Sequence, residues 1–136
     1  MRIQCSRGLM HRSIEILTGL SYFIIGLSHL VRPRVWVDFF LYLREKGEIA
    51  AFLNAFIHIP LGLLIVAFHN VWTWPQLIVT LVGWSLTIKG TLYFLVPELA
   101  LRTMGRVSPG RAWEFQAAGG FALALSAASF WAASLT

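Results

Sequence analysis

Four long apolar runs leave this chain few folds. They cover residues 14–31, 49–68, 75–96 and 113–135. As helices rising about 1.5 Å per residue, they match a hydrocarbon core about 30 Å thick. Lipid offers backbone amides no hydrogen-bond partner, so a spanning run of this length must be helical. The fourth run has no polar stripe, which a helix on the surface of a water-soluble bundle needs. Only 12% of the 136 residues are charged and 57% are hydrophobic. An average soluble domain has roughly 25% charged residues. The expected fold is therefore an all-α membrane protein, a four-transmembrane-helix bundle forming one integral membrane domain over residues 1–136.

The connections differ in character. Residues 32–48 begin with Pro33, and Val35, Trp36, Phe39, Phe40, Leu41 and Leu43 interleave with Arg34, Asp38, Arg44, Glu45 and Lys46. That pattern predicts a short amphipathic interfacial helix over 34–46, between helices 1 and 2, ended by Gly47. A polar-capped loop is the other reading. Residues 69–74 are too few for anything but a hairpin, with Trp72 and Trp74 where an aromatic belt is expected. Residues 97–111 hold Arg102, Arg106, Pro109 and Gly110 and read as a polar loop.

The net charge is +5, but the basic residues flank apolar runs. They act as membrane anchors and orientation signals, and no nucleic-acid partner is expected. Seven Lys or Arg lie on the first and third connections and three on the amino terminus. The majority places those connections in the cytoplasm and both termini outside. Arg2, Arg7 and Arg12 alone argue the reverse. The first run resembles a signal peptide but is long, contains Glu15 and His29, and lacks a small-x-small cleavage site, so it is read as a retained helix. A single cysteine, Cys5, excludes an internal disulfide.

Helix 4 is rich in Ala, Gly and Ser. Gly120, Ala124, Ala128 and Ala132 form one ridge, and Ala118, Ala122 and Ser126 another. Small ridges let helices approach closely. They serve packing within the monomer, against Gly19 and Gly26, or a homo-oligomer or larger complex.

Ionisable residues inside spans are costly and usually face the bundle interior. At helical rise, Asn54 and His58 lie roughly 7 and 13 Å into helix 2, and Lys89 roughly 12 Å into helix 3 from the same side. Asn54 and His58 share a face, as do Ser85, Lys89 and Tyr93. These depths predict one polar pocket opening toward the first and third connections. Its candidate ligand-binding residues are His29, Asn54, His58, Lys89, Tyr93 and Glu114. Pro60 would free a carbonyl near His58. Lys89 implies an anionic or carbonyl ligand, an acidic partner, or a side chain that snorkels. On the other side, His11 and Glu15 are four apart and suited to pairing, with His69 nearby.

Two membrane helices can supply axial imidazoles to haem. Here His29 and His58 differ in depth by roughly 9 Å, and His11 with His69 would sit outside the hydrocarbon. No HExxH, CxxC, nucleophile triad, phosphate loop or GxGxxG is present. No metal site or catalytic residue is expected.

Gly26-Leu27-Ser28-His29-Leu30 followed by Pro33 resembles the end of the first helix in small four-helix membrane proteins of the DoxX-like type. His69-Asn70-Val71-Trp72, then Gly83-Trp84, Lys89-Gly90 and Pro97, is similar to a group of small bacterial inner-membrane proteins. The resemblance implies a compact four-helix bundle in a bacterial plasma membrane. DoxX-like proteins are linked to quinone and thiol redox chemistry, and a lone cysteine does not support the thiol part. The resulting expectation is a small multi-pass protein in contact with membrane lipid, accessory, oligomerising or ligand-binding, without catalysis of its own. The alternatives are a membrane redox protein holding quinone or haem, and a small-molecule or lipid transporter.

Overall fold

The structure is a computed structural model that describes residues 2–136, with side chains from Ser6 onward. Arg2 and Cys5 lie outside those described side chains. Among the described residues there is no strand. The elements are α1 (Arg2–Val31), α2 (Pro33–Glu45), α3 (Glu48–Phe68), α4 (Leu77–Leu95), α5 (Pro97–Gly105) and α6 (Ala112–Leu135), with a 3₁₀ turn at Pro109–Arg111. Four segments are long and apolar enough to cross a membrane: Ser6–Val31, Glu48–Phe68, Leu77–Leu95 and Pro109–Leu135.

The boundaries follow local chemistry. Arg32 leaves helical geometry at φ −130°, ψ 50°, and Pro33 restarts the chain as the first residue of α2. Gly47, at φ +59°, provides the turn between α2 and α3, in a region that favours glycine. Val96 breaks α4 in the same way as Arg32 breaks α1, and Pro97 starts α5. Glu98 in the first turn of α5 complements the helix dipole.

Residues 97–105 therefore form a helix, not the polar loop expected from Pro, Gly and Arg content. The reason is a one-sided apolar pattern: Ala100 and Met104, four apart, are both buried. The interfacial helix expected at 34–46 is present as α2, which buries Val37 and Leu43.

The long helices pack as two antiparallel pairs, α1 with α6 and α3 with α4. Close approach explains both. A methyl group on Gly26 would lie 2.9 Å from the Gly119 carbonyl oxygen, and one on Gly62 would lie 2.6 Å from the Thr87 amide nitrogen. Ser126 Oγ also donates to the Gly19 carbonyl across the first pair at 2.8 Å. Of the small residues on α6, Gly119, Ala122, Ser126, Ser129, Ala132 and Ala133 are buried, whereas Gly120 and Ala124 face outward.

Contact between the pairs is sparser, and α2 and α5 close one end of the gap. One core cluster gathers Leu43, Ala50, Ala51, Ala55, Tyr93, Ala100 and Met104 at the α2/α5 end. A second, of Ile14, Ile65, Val79 and Val82, lies toward the other end. The outer surface is at least as apolar as the inside: Ile49 and Phe56 are 68% and 69% exposed, whereas much of the core is alanine.

Candidate functional site

The gap between the helix pairs is a cavity of about 590 Å³. That size falls within the usual range for small-molecule sites, roughly 300–1,000 Å³. Five of the six residues expected to line a pocket do so: His29 from α1, Asn54 and His58 from α3, and Lys89 and Tyr93 from α4. The sixth, Glu114, does not. Its carboxylate pairs with Arg111 at 2.6 Å, three residues earlier, and both side chains remain partly exposed. A nearby guanidinium outside the cavity holds the acid there.

Lys89 is exposed as a whole and stands at the cavity rim, but its amine turns inward. Nζ lies 3.1 Å from His58 Nε2 and 5.5 Å from the centroid of the Tyr93 ring. His58 Nδ1 lies 2.7 Å from the main-chain oxygen of Asn54. A carbonyl oxygen only accepts, so Nδ1 carries the proton and Nε2 presents its lone pair to Lys89. The amine donates to that lone pair, leaving its other hydrogens for a ligand. Asn54 contributes a buried side-chain oxygen without a partner.

The aromatic wall is ordered by its own contacts. His29 donates from Nδ1 to the Ile25 carbonyl at 2.8 Å and stacks on Trp36 with ring centroids 4.1 Å apart. Trp36 Nε1 donates to Ser28 Oγ at 2.9 Å. Thr103 gives its hydrogen to the Ala100 carbonyl, so Tyr93 donates to Thr103 Oγ1, at 3.2 Å. Trp36, Phe40, Thr103, Met104 and Phe115 are among the lining residues that were not expected. They sit on α2, α5 and the start of α6, whose packing over the gap spacing alone does not reveal. No aspartate or glutamate lines this cavity. Among the described residues, Lys89 is the only Lys, Arg, Asp or Glu at its wall.

The opposite end is built differently. His69 Nε2 meets Glu15 Oε1 at 2.8 Å with both side chains fully buried. The residue expected to pair with Glu15 was His11, one turn away. Instead His11 sets its ring edge-on to His69, centroids 5.5 Å apart. Thr80 from α4 donates to the Val71 carbonyl at 2.7 Å and accepts from the Val71 amide at 3.0 Å. Thr136 Oγ1 lies 3.1 Å from both Glu15 Oε1 and the Ala132 carbonyl, which share its one hydrogen. Asn70 Oδ1 accepts from Trp72 Nε1 at 3.0 Å and faces Trp84 Nε1 at 3.4 Å, so this amide ties the loop to α4.

Neither histidine pair offers two open imidazole nitrogens for haem. His58 uses both of its nitrogens, and His69 Nε2 is held by Glu15. No family model, curated protein or solved structure matches the chain.

Proposed function

We propose that this chain is a multi-pass membrane protein that binds a small amphipathic anion, with its head at Lys89 and its tail among the aromatic side chains. The outer belt of Phe, Ile and Leu around an alanine-rich interior supports membrane insertion. The resemblance to DoxX-like proteins favours a bacterial plasma membrane. The single observation behind the ligand class is Lys89, a cationic group on a cavity wall that offers it no carboxylate. A charge at such a place calls for an opposite charge. A fatty-acid-like or lipid phosphate head supplies it, and the side-chain NH2 of Asn54 is a further donor.

Native mass spectrometry of the protein released from mild detergent tests the reading. The expected result is a co-purifying anionic amphiphile. Lys89→Met should lower affinity for added long-chain fatty acid roughly 10- to 100-fold, the equivalent of a charge-assisted hydrogen bond of about 1.5–3 kcal/mol. Equal affinity in the variant refutes the assignment. Tighter binding of a neutral quinone than of the acid would favour the redox alternative.

A further inference from the structure

The cavity has a floor and a roof. Tyr22, Leu61 and Leu86 line it and pack on the cluster of Ile14, Ile65, Val79 and Val82. Phe40, Tyr93 and Met104 line it from the cluster at the α2/α5 end. Both ends of the gap are therefore filled with side chains. Its flanks are not. Each flank lies where helices of different pairs face one another with little contact, α1 with α3 and α4 with α6. Ile25 and Ile57 line the cavity on the first flank, and Lys89, Ala118 and Phe121 on the second. All five are exposed, Ile57 to 69% and Phe121 to 68%.

These exposed positions lie well inside the long helices. Ile57 is next to the middle residue of α3, and Phe121 is nine residues past the start of α6. In a spanning bundle, openings at that depth face hydrocarbon. A water-soluble anion would have to cross that hydrocarbon as a bare charge, which is costly.

Lys89 distinguishes the two flanks. It stands on the α4 edge of the second, and Ala118, across from it on α6, is the smallest of the five side chains. The first flank carries two branched chains instead. Lys89 also lies six residues, roughly 9 Å, inside the end of α4. A phospholipid phosphate stays in the headgroup layer, outside the hydrocarbon core. A single-chain acid has no second chain or linked headgroup to hold it there. Given the anion-binding reading proposed for Lys89, we infer that the occupant is a single-chain fatty acid dissolved in the bilayer, which enters and leaves sideways between α4 and α6.

Photo-crosslinking in lipid nanodiscs tests this, with palmitic acid carrying a mid-chain diazirine as the probe and peptide mass spectrometry as the readout. Wild type should form adducts on lining residues set back from the outer belt, such as Tyr22 and Met104, and Lys89→Met should lose them. A chase with unlabelled palmitate then reads exit through the same opening. Ala118→Trp should slow the loss of these adducts at least tenfold, whereas Ala124→Trp, which faces outward on the same helix, should not. If Ala118→Trp fails to fold, Phe121→Ala should speed the exchange instead. Absence of cavity adducts in wild type refutes the binding reading and this inference with it. Adducts that depend on Lys89 but exchange at the wild-type rate in both Ala118→Trp and Phe121→Ala overturn the sideways route and leave binding standing. A photoreactive diacyl phosphatidic acid that marks Tyr22 and Met104 equally well overturns the single-chain assignment.

Discussion

The two ends of this bundle solve the same problem in opposite ways. Each holds a histidine against an ionisable partner inside apolar helices. At the Glu15 end the partner is an acid from another helix, the pair is fully buried, and hydroxyls from two further segments close around it. At the Lys89 end the partner is another basic group, the pair lines an open cavity, and no acid is within reach. The first pair can cancel charge internally. The second has no acid in the cavity lining to offset it. Both pairs are polar groups among apolar helices, yet only the second borders a cavity.

Substitutions can break this contrast or sharpen it. The largest effect is expected at the closed end. His69→Ala leaves the fully buried Glu15 carboxyl without its partner and should cost about 3–5 kcal/mol, as for other broken buried pairs. Thermal unfolding in detergent measures it. Lys89→Met, at the open end, should leave that transition nearly unmoved while reducing ligand affinity.

The helix seams come next. Gly62→Ala places a methyl group 2.6 Å from a backbone nitrogen of α4. It should cost about 1–3 kcal/mol by overpacking. Gly120→Ala meets nothing within 4 Å and should stabilise α6, by up to about 1 kcal/mol of helix propensity. The smallest effect is expected at Glu114→Gln. Breaking a partly exposed pair should change stability by at most about 1 kcal/mol and leave affinity unmoved, because this acid is outside the cavity.

Much of this architecture was legible in the residues. Apolar run lengths locate α3, α4 and α6 within two positions at each end, whereas α1 begins at Arg2, well before its apolar run at 14–31; Pro33 and Gly47 bracket α2. Depth arithmetic brings His58 and Lys89 to one level, and the structure places them in hydrogen-bond contact. Such reasoning works where a group's position follows from its own helix. It fails where the partner is set by packing. Glu15 and His69 are 54 residues apart, and nothing in local spacing makes His69 a better partner than His11. Glu114 was misplaced for the converse reason, since a local competitor, Arg111, captures it. α5 was missed because nine residues containing Arg and bounded by Pro and Gly resemble a loop until Ala100 and Met104 are seen to share a face.

The stacking of Trp36 on His29 has a practical consequence. The chain has six tryptophans, and Trp36 alone lines the cavity. Replacing the other five with phenylalanine would leave one indole emitter at the binding wall. Its fluorescence would then report occupancy without any attached dye.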